Sequence, residues 1–306
     1  MQTEKMIFII NPRAGNWLNQ IQRCKLMKQI RDSFGNVKIV FSEEKGENSI
    51  SDLARSAQRS GFNKIIVRGG DGSLNQVLNG VDLPDPFLSV GVIPAGTGND
   101  IASTLGIPWK IAKAFAVIKE GHTRQIDLGI VNGILFANTI SIGLDALVNQ
   151  RATILKPFFQ RLGLSFLSYA LAILLVMFRK ENDPVVFFEI DSEKITRKIG
   201  FAAITNCYRY GRGFNINPPA EVDDGWLNMC ILNPVASLAF PYYGWRTKSG
   251  THVSMERKFS FHEFKKLKIT SSFPVISQID GEVQECSRRY EISVLPRVLR
   301  IIVPKG

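Results

Sequence analysis

Residues 67–75 read Val-Arg-Gly-Gly-Asp-Gly-Ser-Leu-Asn. Three glycines, Gly69, Gly70 and Gly72, surround Asp71. A strand-like run, Lys64–Val67, precedes them and a helix-like run, Ser73–Leu78, follows. Glycine lets backbone N–H groups approach a ligand closely, and a helix N-terminus favours negative charge. The chemistry such a loop serves is phosphate binding. Asp71 within it can hold a Mg²⁺ that bridges phosphate oxygens. The competing reading is a tight turn with Asp71 as a helix cap. A second loop, Pro94-Ala95-Gly96-Thr97-Gly98-Asn99-Asp100, lies between the strand-like Leu88–Ile93 and the helix-like Asn99–Leu105. There, too, Asn99 or Asp100 suits a simple cap. Two such loops at the carboxyl ends of neighbouring strands occupy the ligand crevice of a parallel sheet.

Several chemistries lack their residues. Gly-Lys-Ser/Thr does not occur, so neither loop is a P-loop, and neither fits the Gly-x-Gly-x-x-Gly dinucleotide fingerprint. The His-Arg-Asp and Asp-Phe-Gly signatures of protein kinases and the Gly-x-Ser-x-Gly elbow of serine hydrolases are absent. The cysteines, Cys24, Cys207, Cys230 and Cys286, form no Cys-x-x-Cys pair, which argues against zinc ribbons and a disulfide framework. His122, His252 and His262 are dispersed, and His262 beside Lys265, Lys266 and Lys268 reads as a solvated basic face.

The elements that must position the loops alternate. Lys5–Ile10, Val37–Phe41, Lys64–Val67 and Leu88–Ile93 read as strands. Trp17–Phe34, Ser49–Ser60, Ser73–Leu78, Asn99–Leu105 and Trp109–Lys119 read as helices. This βαβα order predicts a doubly wound parallel sheet. Beyond Ile126 the pattern turns to β. Asp127–Val131 and Ile134–Thr139 flank Asn132-Gly133, a hairpin signal, and Val185–Ile190 and Lys194–Thr205 suggest a second hairpin. Further strand-like runs are Leu227–Leu232, Phe259–Phe261, Leu267–Thr270, Val275–Ile279, Tyr290–Leu295 and Leu299–Val303. A helical insertion falls near 145–180. Its apolar stretch, Leu162–Phe178, is short of the roughly 20 residues of a membrane span and reads as a buried or interfacial helix. The expected domains are 1–126, with about 297–306 returning to it, and 127–296.

Taken together, GGDGS at 69–73, PAGTGND at 94–100, NPRAG at 11–15, FANTISIGLDA at 136–146, YGRGFNINPPAEVDDGWLNM at 210–229 and QIDGE at 278–282 resemble the diacylglycerol kinase catalytic family. That family includes sphingosine kinases and bacterial lipid kinases. The resemblance covers nearly the whole chain in the family's order. It implies an α/β plus β fold: a Rossmann-like N-terminal domain with a parallel sheet, a β-rich, mostly antiparallel C-terminal domain, and an active site between them. It implies that Gly69, Gly70, Asp71, Gly72, Ser73, Leu74 and Asn75 cradle the phosphates of ATP. Asn11, Ser42 and Thr97 would add nucleotide contacts. Asp71 would link to catalytic Mg²⁺, with Asp100 and Asp127 extending the acidic network. Ser42 and Ser73 stand where the family usually has Thr, and a hydroxyl is kept at both. Asp280-Gly281 by itself reads as a turn. The resemblance makes Glu282 the proton acceptor from a lipid hydroxyl, with Asp280 as the alternative base or a member of the metal network. It also implies a structural Mg²⁺ held by Asp224 and the backbone carbonyls of Glu221 and Trp226, at what is otherwise an Asp-Gly turn.

Composition fits this reading. The 306 residues are 45% apolar and 21% charged, and 38 Lys+Arg against 27 Asp+Glu leave +11. Such a surface favours anionic partners. No aromatic–basic RNA-binding signature accompanies it, so nucleic acid is not expected. The expected activity is transfer of the γ-phosphate of Mg-ATP to a lipid hydroxyl, with diacylglycerol the leading substrate. The expected setting is cytoplasmic, with transient contact at an anionic membrane surface; a homodimer is left open. Two alternatives stand beside it: an NAD kinase-like enzyme, which shares the GGDG loop, and a catalytically silent nucleotide- or lipid-binding regulator.

Overall fold

The computed structural model describes residues 5–15, 18–43, 48–161, 166–178, 183–211 and 213–305. The chain divides into two compact units, Met1–Leu128 with Leu295–Gly306, and Gly129–Val294. The fold class is α/β plus β, with parallel pairing in the first unit and antiparallel pairing in the second.

The first unit follows the alternating pattern: β1 (Met6–Ile10), α1 (Gln20–Phe34), β2 (Lys38–Phe41), α2 (Ile50–Arg59), β3 (Lys64–Gly69), α3 (Asp71–Leu78), β4 (Ser89–Pro94), α4 (Asp100–Thr104) and α5 (Ile111–Glu120). The strands lie in the order β4-β3-β1-β2, all parallel. Their near-continuous apolar runs are buried, as strands covered on both faces must be. Phe8, Ile10, Ile66 and Ile93 pack with Leu26 and Ile30 of α1 and with Phe115 and Ile118 of α5. Neighbouring residues of the same strands turn the other way; α2 contacts β1, and α3 contacts β3. Asn19 and Gln22 form a capping box that starts α1 at Gln20, later than the sequence pattern suggests; Trp17 lies outside the described residues. Gly121, at φ +70°, ends α5. Because β2 and β3 flank β1 on opposite sides, the order reverses at β1/β3, where an open parallel sheet binds ligands.

β5 (Thr123–Val131) and the long β14 (Glu282–Ile302) carry the chain across the division. The end of β14 joins the parallel sheet, with Ile301 opposite Val90.

The second unit holds β6 (Ile134–Phe136), β7 (Thr139–Gly143), α6 (Leu144–Arg161), α7 (Phe166–Met177), β8 (Val185–Ile190), β9 (Glu193–Lys198), β10 (Phe201–Thr205), β11 (Leu227–Leu232), α8 (Phe240–Lys248), β12 (Phe259–Phe264) and β13 (Lys266–Ile279). Antiparallel pairing runs β12-β11-β10-β7-β13-β14, with β8 and β9 added along the first half of β13. The runs Leu267–Thr270 and Val275–Ile279 are one strand broken by a bulge, where Pro274 cannot donate to the ladder. Likewise Ile134–Thr139 is not one strand, because the amides of Ala137, Asn138 and Thr139 turn to a carboxylate described below. One face of this sheet buries Ile140, Ile142, Phe188, Ile204, Met229 and Ile231. The other packs Phe201, Ala203, Cys230 and Leu232 against Leu144, Val148 and Ala152 of α6 and Ala172 and Val176 of α7. Among the described residues no helix is long and apolar enough to cross a membrane. Residues 162–165 of the apolar stretch lie outside them. The described part of that stretch is buried at Ser168, Ala172 and Val176 and exposed at Leu174, Leu175 and Phe178.

Candidate active site

The carboxyl ends of β1, β3 and β4 bring three sequence motifs together. Asn11 follows β1, and its amide nitrogen donates to Ser73 Oγ of α3 at 3.0 Å. Its carbonyl side holds the amide of Arg13 at 2.9 Å, which closes the NPRAG turn. Ser42, after β2, is buried, and its hydroxyl donates to the carbonyl of Ile10 at 3.4 Å. Thr97 stands exposed at the tip of the second glycine loop.

The two glycine loops touch through their backbones. A Cβ on Gly70 would lie 2.9 Å from Cα of Gly96, so neither position has room for a side chain. Gly69 ends β3 against the Ser73 side chain, and α3 begins at Asp71 with no side-chain cap. Leu74 is buried in the core, so only its backbone faces the loop; Asn75 is half-buried and its Oδ1 accepts from Asn79.

Asp71 is a cap, but not of its own helix. Its two carboxylate oxygens accept the amides of Asp100 and Ile101, each at 3.1 Å, and so cap α4 from the neighbouring loop. Asn99, one of the expected caps, instead adopts φ +53° and uses its side chain to grip Gly96 N–H and C=O, at 2.8 and 3.0 Å. Asn and Asp tolerate this left-handed region better than other side chains. Sequence spacing alone did not reveal this cross-loop cap.

The same loops offer hard oxygen donors. A Cβ on Gly98 would lie 3.1 Å from both Asp71 Oδ2 and Asp100 Oδ2, so the glycine keeps clear a space that both carboxylates border. No group of three or more His, Cys, Asp or Glu side chains able to hold a metal occurs among the described residues. One or two carboxylates completed by phosphate oxygens and water is the usual manner of holding Mg²⁺, and the residues around Gly98 fit it. Asp127 is fully buried, and its Oδ1 accepts the amide of Arg297, a residue at φ +54°, at 2.7 Å.

The remaining expected residues lie in the second unit. Asp280 and Gly281, both at positive φ, form a two-residue turn with Ile279 opposite Glu282. The Asp280 carboxylate is buried and accepts three backbone amides, from Ala137 at 2.9 Å, Asn138 at 3.0 Å and Thr139 at 2.8 Å. It is thus an anchor that joins the FANT segment to the β13–β14 turn. Glu282 is exposed at the start of β14. Asp224 and Glu221 are also exposed, and the Trp226 amide donates to Asp224 Oδ1 at 2.9 Å, which closes the Asp-Gly turn around Gly225. The Lys265 ammonium covers the Trp226 ring at 4.5 Å.

Comparison with known proteins agrees with this architecture. Residues 5–131 match the family model described as diacylglycerol kinase catalytic domain. Residues 138–303 match the model described as YegS C-terminal NAD kinase beta sandwich-like domain. A Mycobacterium tuberculosis protein named diacylglycerol kinase is 31% identical over 83% of this chain and 81% of its own length. The chain belongs to the diacylglycerol kinase family. A diacylglycerol kinase of Staphylococcus saprophyticus is 28% identical over 90% of this chain and 87% of its own. A solved diacylglycerol kinase structure from Bacillus anthracis superposes with a TM-score of 0.74 over 99% of this chain and 98% of that one, at 24% identity, which establishes the shared fold. Membership makes the protein a lipid kinase, and the diacylglycerol kinase fold puts both glycine loops on its catalytic domain.

Proposed function

We propose that the protein transfers the γ-phosphate of ATP to the hydroxyl of a membrane lipid, most plainly diacylglycerol, the lipid in its relatives' names. The observation that carries this is the pair of glycine loops at the β1/β3 switch, locked to each other by Asp71. Gly69, Gly70, Gly72, Ser73, Leu74 and Asn75 present the N-terminus of α3 to the phosphates, where aligned amides stabilise negative charge. Asn11, Ser42 and Thr97 surround the nucleotide. Asp71 and Asp100, with Asp127 extending the acidic network, would hold Mg²⁺, which when bound would neutralise charge on the transferring phosphoryl group. Asp224 Oδ2, with the carbonyls of Glu221 and Trp226, forms a second, structural cation position.

Glu282 takes the proton from the lipid hydroxyl as that oxygen attacks phosphorus. Its exposure supports this role, whereas Asp280, committed to three amides, supports the turn that presents it. Membrane contact falls to α6 and α7 and the residue that follows α7: Ile154, Phe158, Leu174, Leu175 and Phe178 are exposed, and α6 also carries Arg151 and Lys156. Apolar side chains flanked by cations suit an anionic lipid interface. The protein then works as a cytoplasmic enzyme that visits the membrane.

The test is incubation of the full chain with Mg-ATP carrying a labelled γ-phosphate and a total lipid extract, followed by mass spectrometry of the labelled product. A phosphorylated diacylglycerol is expected. Label in a different lipid corrects the substrate, label in NAD when NAD is supplied instead favours the NAD kinase reading, and ATP binding with no labelled product on any substrate favours a silent regulator.

A further inference from the structure

Glu282 is the first residue of β14, so the peptide before it sets the direction in which its side chain leaves the turn. That peptide and the one before it are both held. The Gly281 amide donates to Gln278 Oε1 at 2.7 Å, and the Gly281 carbonyl accepts from Asn149 Nδ2 at 2.8 Å. Gln278 Nε2 donates in turn to Ser141 Oγ at 2.9 Å, and the Ser141 hydroxyl donates to Asp145. Asp145 also has Tyr210 and Gln278 as hydrogen-bond partners. Tyr169 of α7 donates to Asn149 Oδ1 at 3.3 Å. Asp145 and Asn149 are four residues apart on α6, hence on one face of it.

A hairpin does not need this. The Asn132-Gly133 turn has the same pair of positive-φ residues between opposed strand ends, and although its Asn132 side chain bonds to Arg289 and Glu291, its glycine makes no side-chain hydrogen bond among the described residues. The additional bonds at Gly281 therefore fix something the turn alone leaves loose.

We propose that α6 is a brace for the catalytic carboxylate. Asn149, on the peptide that enters Glu282, and Asp145, through Ser141 and Gln278 on the peptide before it, are positioning residues that hold Gly281 and so aim Glu282. This rests on the proposed role of Glu282 as proton acceptor. The brace deepens that role by explaining how an exposed side chain at a strand end keeps one orientation.

The test uses the full chain with Mg-ATP and vesicles containing dioleoylglycerol. Asn149→Asp keeps the side chain's size and removes the donor to Gly281. It is expected to lower kcat about tenfold, the effect of one lost hydrogen bond of ~1 kcal/mol or slightly more. KM for ATP should stay near its original value, and the melting temperature should fall by only a few degrees. In a Glu282→Gln background the same change should have no further effect, because residues that act through one another are not additive. An unaltered kcat, an equal loss in both backgrounds, or a kcat loss that follows only the fraction unfolded would overturn the brace. Full turnover by Glu282→Gln alone would instead overturn the proton-acceptor role on which it rests. A second measurement is independent of the lipid used: amide hydrogen exchange in the 278–284 peptide should quicken in Asn149→Asp and in Gln278→Met. Unchanged exchange in both would equally sink the proposal.

Discussion

Gly98→Ala is the sharpest perturbation of the loop pair, because it alters neither carboxylate. The added methyl carbon would sit 3.1 Å from Asp71 Oδ2 and from Asp100 Oδ2, where ordinary contact begins at 3.4 Å. Each oxygen must therefore retreat by about 0.3 Å, or the loop must shift by as much. Overpacking inside a core costs ~1–3 kcal/mol. Gly98 lies in a loop and not inside a core, so the lower end applies, about 1 kcal/mol, or a fall of roughly 2–4 °C in melting temperature. A cation shared by the two oxygens would lose far more, since Mg²⁺ demands near-ideal geometry at ~2.0–2.1 Å. We expect the Mg²⁺ concentration for half-maximal turnover to rise by about tenfold or more, a loss of ~1.4 kcal/mol or more in apparent affinity. The assay is ADP release with diacylglycerol vesicles across a Mg²⁺ titration, with thermal unfolding measured on the same samples. A Mg²⁺ activation curve that overlays that of the unaltered protein would refute the placement of the cation beside Gly98.

Four further outcomes are expected. Glu282→Gln should lower turnover by about 10²–10⁴-fold, the usual worth of a general base, while calorimetry still shows ATP binding; undiminished turnover would remove Glu282 from the chemistry. Asp280→Asn keeps one acceptor oxygen and sets an amide group against a backbone N–H, so a loss of ~1.5–3 kcal/mol is expected in denaturant unfolding, and an unchanged midpoint would contradict its anchoring role. Burial pushes the Asp145 carboxyl above its ordinary 3.8, outweighing its bonds to Ser141, Tyr210 and Gln278. The folded chain then holds this proton at pH values where the unfolded chain has released it, so stability falls as pH rises from about the ordinary carboxylate value to the raised one. Asp145→Asn should flatten that decline in pH-dependent unfolding; an identical slope would count against an enclosed carboxyl. Phe158→Glu on α6 should weaken sedimentation with anionic vesicles, and added salt should weaken that of the unaltered protein. Binding indifferent to both would move membrane contact elsewhere.

The fold class was legible because its signals are local. Apolar runs of strand length alternate with amphipathic stretches up to Gly121, and Asn132-Gly133 announces the change to antiparallel pairing. What stayed hidden depends on residues far apart in the chain. Ile134–Thr139 looks like one strand until the Asp280 carboxylate, more than a hundred residues away, claims three of its amides. Leu267–Thr270 and Val275–Ile279 look like two strands until the ladder is seen to continue past Pro274. Helix α8 was missed because Gly244 and the run of aromatic residues Tyr242, Tyr243 and Trp245 weaken its local preference, although Pro241 suits its first turn. At the loops, the glycines and Asp71 were singled out for phosphate and cation chemistry. Their contacts with each other, Gly70 on Gly96 and Asp71 on α4, come from tertiary packing that no spacing rule reports. Asn149 carried no motif, and Gln278 stood in QIDGE with no role of its own; only the hydrogen bonds to Gly281 mark them.

The first unit is not contiguous in the chain. Its sheet includes residues near 301, and Asp127 depends on the amide of Arg297. During synthesis the glycine loops leave the ribosome long before the strand that completes the sheet beneath them. Until residue 302 has emerged, β4 presents an open edge able to pair with another chain. A message that stops before residue 295 would thus yield a polypeptide that retains every loop motif yet is prone to aggregate, which makes the last strand a point of quality control for the nucleotide-binding half.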